Sequence, residues 1–137
     1  MQPLAPCLMF VGDQCGRAQE ATDLYLSAFP GSRVLEAERF ELEDGRPAVR
    51  YSRVEILGQE VVMMDGPGPH PFGFTPAVSL FVDLESRELI DAAWAPLIED
   101  GYALMPLQAY DFSPYFGWAQ DRFGVSWQLR LAPGAVS

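Results

Sequence analysis

Residues 111–131 read DFSPYFGWAQDRFGVSWQLRL, and the last seven of them alternate. Val125, Trp127, Leu129 and Leu131 share one parity, and Ser126, Gln128 and Arg130 share the other. A period of two is that of a β-strand, whose successive side chains point to opposite faces. One face therefore buries large apolar groups, while the other presents an amide and a guanidinium. Tyr115–Gln120 reads as a second strand. Asp121-Arg122-Phe123-Gly124 is the turn between them, with Gly124 suited to positive φ. Such a hairpin lies between a hydrophobic core and a wetter concavity.

Working outward, the pattern changes period twice. Ala18, Ala21, Leu24, Tyr25, Ala28 and Phe29 recur at three- and four-residue spacing, which predicts an amphipathic helix stopped by Pro30-Gly31. Leu89, Ile90, Ala93, Trp94, Leu97 and Ile98 form a second stripe, capped by Ser86 and ended by Gly101. Pro96 removes a donor inside that helix and predicts a kink or an early end. Strands are expected at residues 4–11, 33–42, 49–57, 60–65, 77–84 and 102–109. Residues 11–17 form a loop. GPGPHPFGFT, Gly66–Thr75, is too short for a domain linker and reads as a crossover. The order is βαβββ twice, and periodicity alone implies an α+β protein with antiparallel sheet.

The 137 residues suit one domain, and 49% hydrophobic content suffices for a sizeable core. A net charge of −10 argues against nucleic acid or an anionic membrane as partner, because phosphate binding needs a basic face. No signal-like start and no apolar run of 18 residues is present, so a soluble, cytoplasmic protein is expected. Cys7 and Cys15 do not form a metal-type cluster, and neither has a neighbouring histidine. No G-x-S-x-G, P-loop or G-x-G-x-x-G stretch occurs.

The run FGWAQDRFGVSWQL resembles the closing hairpin of the PhnB-like branch of the vicinal oxygen chelate (glyoxalase/bleomycin-resistance) superfamily. That branch is often labelled after 3-demethylubiquinone 3-methyltransferase. PCLMF at Pro6–Phe10 with the helix that follows it, and FTPAVSLFVD at Phe74–Asp83, agree with the resemblance. It covers about residues 5–131 and implies one domain over residues 1–137. Module one would span about 4–65, a crossover loop 66–76 and module two about 77–131, forming a curved, mostly antiparallel sheet around a cavity.

Metal-dependent members take His, Glu or Gln ligands from concave positions on the first and fourth strands of each module. The matching positions here are Ala5 or Cys7, Met63, Ala77 or Ser79, and Gln128. One Gln among Ala, Met and Ser cannot hold a hard divalent cation, so no metal and no cofactor is expected. The methyltransferase label has no physical support, because an adenosylmethionine-type donor normally sits on a Gly-rich turn of a doubly wound sheet. What remains is a cavity lined by Cys7, Met9, Met63, Phe81, Tyr115 and Trp118, with Ser79, Gln128 and Arg130 as polar contacts. His70, the single histidine, is a solvated loop residue or a lid over that cavity. The leading expectation is binding of a small organic molecule without a metal. A metal-dependent isomerase, oxygenase or resistance transferase is the alternative, and a structural homodimer with a vestigial cavity is the third. The resemblance also implies a homodimer.

Overall fold

A computed structural model describes residues 1–135. The chain divides into two compact units, Met1–Gly73 and a second from Phe74 onward. The first contains β1 (Cys7–Val11), a 3₁₀ turn at Gly12–Gln14, α1 (Ala18–Ala28), β2 (Arg33–Glu41), β3 (Pro47–Ile56) and β4 (Gln59–Gly66). The second contains β5 (Ser79–Leu84), α2 (Arg87–Ile98), β6 (Tyr102–Tyr110), β7 (Ser113–Gln120) and β8 (Ser126–Leu131). Each unit is one four-stranded mixed sheet, ordered β1-β4-β3-β2 and β5-β8-β7-β6. The parallel pairs are β1 with β4 and β5 with β8, and the remaining pairs are antiparallel. This is the α+β, twice-repeated βαβββ fold expected from the sequence.

The apolar periodicities land where the core is. Ala18, Ala21, Leu24, Tyr25, Ala28 and Phe29 are all buried, and α1 packs on β3 and β4. Arg17, at the N-cap of α1, makes no side-chain cap. Asp65, at the far end of β4, supplies one instead. Its Oδ1 accepts from the Gly16 and Ala18 amides at 2.7 and 3.1 Å, and its Oδ2 from the Val49 amide at 2.8 Å. A buried carboxylate thus satisfies helix-start donors that would otherwise be orphaned.

In the second unit, Ile90, Ala93 and Leu97 form the buried line of α2. Leu89, placed in that stripe by sequence, is 45% exposed. It stands about 100° around the helix from Ile90, and its amide donates to the capping Ser86 Oγ at 3.2 Å. Helix α2 runs two residues past Pro96 rather than ending there. The proline sits in the last turn, where it removes a single ladder bond. Gly101 does not take the left-handed position after the helix; Asp100 does, with φ 56°. Gly101 is small for another reason: a Cβ there would lie 2.5 Å from the Gln120 carbonyl oxygen. Strand β5 begins at Ser79, so Ala77 falls in the loop before it.

The closing hairpin follows its pattern. Val125, Trp127, Leu129 and Leu131 are buried. Gly124 has φ 98° and donates to the Asp121 carbonyl at 2.9 Å. Asp121 itself is buried, and its Oδ1 accepts from the Phe123 and Val125 amides at 2.9 and 3.0 Å. Its Oδ2 accepts from Trp127 Nε1 at 3.0 Å.

Candidate functional site

Each sheet has one face under its helix and one open face, and register assigns every candidate to one or the other. In the second unit, Trp94 of α2 lies against Gly117. Gly117 pairs with Leu129, and Ala119 with Trp127, so these residues face the helix. The opposite parity forms the open face in three rows. Ser79 pairs with Ser126 and Ser126 with Gln120; Phe81 pairs with Gln128 and Gln128 with Trp118; Asp83 pairs with Arg130 and Arg130 with Phe116. Met105 extends the middle row across β6. Five of the sequence candidates, Ser79, Phe81, Trp118, Gln128 and Arg130, are therefore brought together on one surface.

Tyr115 is not among them. It has the parity of Gly117 and faces α2, where its hydroxyl donates to Asp91 and the Arg87 guanidinium lies 4.6 Å from its ring centre. The hydrogen bond to Asp91 pushes the phenol pKa up, and burial and the carboxylate's charge add to the rise. The signal was present in the sequence: residues 115 and 118 have opposite parities in a regular strand, so choosing Trp118 excludes Tyr115.

The open face holds its polar groups in two different ways. Trp118 Nε1 donates to Ser126 Oγ at 2.8 Å, and Ser126 Oγ lies 2.6 Å from Ser79 Oγ. The indole edge is thereby satisfied, leaving its ring as apolar wall. Arg130 grips Asp83 with Nε–Oδ1 at 2.6 Å and Nη2–Oδ2 at 3.1 Å. The hydrogen bond to Asp83 raises the guanidinium's pKa further above its ordinary value. Gln128 is different. Among the described residues its amide has no hydrogen-bond partner, and it stands between Phe81 and Trp118. Phe81 is 52% exposed. Sequence reading missed an aromatic group next to it. Phe116 lies 6.3 Å from Phe81, 5.0 Å from Phe112 and 5.9 Å from Tyr110, centre to centre.

In the first unit Cys7 pairs with Val62 and Met9 with Met64, while Leu8 pairs with Met63. Met63 shares its parity with Asp65, the residue that caps α1, and is fully buried on the helix side. The wall assigned to Met63 thus belongs to Val62 and Met64, beside Cys7 and Met9. The cause is the sequence VVMM, which is apolar on both parities and leaves the register undecided. Arg53 shares this open face through its pairing with Val62. Its Nη1 lies 2.8 Å from Glu60 Oε1, and its Nε donates to the Tyr51 hydroxyl at 2.9 Å. The Arg53 bond, then the Gln2 amide, hold the Glu60 carboxyl below its ordinary range.

Outside both open faces, a groove of about 520 Å³ opens in the first unit beside the β2–β3 turn, lined by Cys15, Phe40, Leu42, Asp44, Arg46 and Pro67 among others. It holds none of the cavity candidates. Burial raises the Cys15 thiol pKa, and nearby Asp65 adds to the rise; burial raises Cys7 too. Neither cysteine has the depressed pKa of a nucleophile. His70 is half-buried, with its ring 5.1 Å from that of Phe72 and its Nε2 buried without a partner among the described residues.

The superfamily's metal positions do not fit a cation. The residues the resemblance matches to them include Cys7, Met63, Ser79 and Gln128; Met63 is buried on the helix side and Ser79 is already bonded to Ser126. Among the described residues no cluster of three His, Cys, Asp or Glu side chains could hold a metal ion. No helix among them is long and apolar enough to cross a membrane.

Residues 2–130 match the family described as 3-demethylubiquinone-9 3-methyltransferase. No curated protein matches. A solved PhnB protein from Bacillus cereus is 41% identical, with TM-score 0.86, over 96% of this chain and 100% of that one. A Pseudomonas aeruginosa protein is 20% identical, with TM-score 0.78, over 96% and 98%. The fosfomycin resistance protein FosX from Listeria monocytogenes, solved with Mn(II) and sulfate ion, is 10% identical, with TM-score 0.59, over 96% and 90%. The last two likenesses are of fold alone.

Proposed function

As the chain belongs to the 3-demethylubiquinone-9 3-methyltransferase family, the PhnB-like branch of the vicinal oxygen chelate superfamily, we propose that it binds a small organic molecule on the open face of its sheet, without a metal. The observation that carries this reading is the row Phe81–Gln128–Trp118. An exposed ring and a fixed indole flank an amide that has no partner among the described residues. Small-molecule sites have this composition, apolar walls with a few convergent polar groups. The family's methyltransferase name is not carried over as an activity. Among the described residues, parallel pairing occurs only between β1 and β4 and between β5 and β8, which is not the doubly wound sheet such a donor uses. FosX was solved with Mn(II), but among the described residues here no group of three His, Cys, Asp or Glu could hold such an ion, so a metal-dependent reaction is the weaker reading.

The test is a thermal-shift screen of neutral and acidic aromatic metabolites, with zinc and manganese as separate arms. A ligand of the native state must raise its stability. A hit should shift wild type and lose most of its shift in Gln128→Ala. Hits that ignore Gln128, or a stoichiometric shift with metal alone, would refute the reading.

The same proposal includes a two-fold homodimer, with the crossover loop and the β1 edge at or near the interface. Phe72 and Val78 are 58% and 76% exposed, and β1 is an edge strand. Exposed apolar groups and free strand edges are what a partner covers. At −10 per chain, association must be mainly apolar and should persist at low salt. Sedimentation equilibrium at micromolar protein should give about twice the 15.2 kDa chain mass; a single-chain mass refutes the dimer.

A further inference from the structure

An arginine on an apolar sheet face is ordinarily a receptor for a carboxylate or phosphate. Here that role is already filled from within. Asp83 and Arg130 are register partners on β5 and β8, and the carboxylate takes the guanidinium through two bonds, at 2.6 and 3.1 Å. The guanidinium also lies 5.2 Å from the Phe81 ring centre, which fixes it over the row below. The rest of this face, Ser79, Ser126, Gln120, Gln128, Phe81 and Trp118, is uncharged. The open face of the first unit repeats the device, with Arg53 bound to Glu60 at 2.8 Å. Both faces thus belong to a chain of charge −10 and present no unpaired cation among these residues.

An anionic ligand would have to displace Asp83, gaining bonds equal to those it breaks and stranding a carboxylate in a negative field. A neutral ligand meets no such cost. Gln128 offers one acceptor and two donors, which complement a carboxamide or lactam edge. Phe81 and Trp118 flank that amide with aromatic surface suited to a planar body.

We propose that Asp83 is a specificity-determining residue: by neutralising Arg130 it makes the open face of β5-β8-β7 accept neutral, planar amide-type ligands and reject their isosteric carboxylates. This rests on the binding reading above and names the ligand class of that site.

Benzamide and benzoate are a matched pair of equal size that differ in charge, and calorimetric titration can compare them. Wild type should bind benzamide at least roughly tenfold more tightly than benzoate, the scale of one charge-assisted bond. Asp83→Asn is isosteric at an exposed position, and circular dichroism verifies its fold. It should gain benzoate binding by a similar factor, and the gain should fade with salt. Adding Arg130→Gln to it should abolish the gain. Benzoate binding wild type as tightly as benzamide would overturn the charge selection and leave the binding site standing. No benzoate gain in Asp83→Asn would overturn the masking role. If only Asp83→Asn bound a probe, through Arg130, masking would stand and the resident binding reading would fall.

Discussion

Trp127→Ala should lower the unfolding free energy by about 3–5 kcal/mol, the range for truncating a large aromatic in a core. Trp127 is 1% exposed. It sits on the helix-facing side of β8, between Leu80 of β5 and Ala119 of β7. A close-packed core collapses only partly around such a truncation, so a cavity cost adds to the lost transfer free energy. The truncation also removes the Nε1–H donor to Asp121, 3.0 Å away. Trp127→Phe separates the two effects, since it keeps most of the ring but not the donor, and should lose about 1–3 kcal/mol. Urea titrations of the three proteins measure the difference. A loss below about 1 kcal/mol for the alanine variant would mean that β8 is displaced by one residue, which would turn Gln128 and Arg130 inward and dissolve the candidate site.

What could be read from the sequence tracks how one-sided each element is. In β8, Trp127, Leu129 and Leu131 alternate with Ser126, Gln128 and Arg130, so a single parity choice determines the whole face. Helix α1 was equally unambiguous, because its six stripe residues are apolar and the intervening ones mostly polar. In β4, Val61, Val62, Met63 and Met64 are apolar on both faces, and Met63 lies on the helix side rather than on the cavity wall the sequence suggests. Both faces there are partly covered, so hydrophobicity carries no parity signal. Tyr115 differs: its aromatic character suits a pocket wall, but alternation from Trp118 puts it on the helix side.

The pairing of charges on the open faces lay beyond sequence reading. Arg130 and Asp83 are 47 residues apart and meet only because β5 lies parallel to β8. The same holds for Asp65, whose partners come from the start of α1 and from β3. A carboxylate in an otherwise apolar strand is visible in the sequence, but which donors it will satisfy depends on the crossing of distant segments. His70 belongs to this class too, since the burial of its Nε2 is set by tertiary placement of a Gly- and Pro-rich loop.

Asp121→Ala should cost about 2–5 kcal/mol, although it removes only a small polar side chain from a turn. The carboxylate is 4% exposed and accepts hydrogen bonds from the Phe123 and Val125 amides and from Trp127 Nε1. Alanine would leave those donors without this acceptor in a buried turn, and each such donor costs roughly 1–3 kcal/mol before relaxation or water entry. Asp121→Asn should fall between wild type and alanine. Its amide oxygen can still serve the two backbone donors, but its NH₂ then confronts the Trp127 donor. The turn is also closed by backbone bonds, Asp121 N to Val125 O at 2.8 Å and Gly124 N to Asp121 O at 2.9 Å, so it should weaken rather than disappear. Because Asp121 and Trp127 share one bond, the double alanine variant should cost less than the two single variants added together, with a coupling of about 0.5–3 kcal/mol. Strict additivity would show that the Asp121–Trp127 bond contributes nothing. A loss under about 0.5 kcal/mol for Asp121→Ala would show that the turn, which leads into the strand carrying Gln128 and Arg130, is held by its backbone alone.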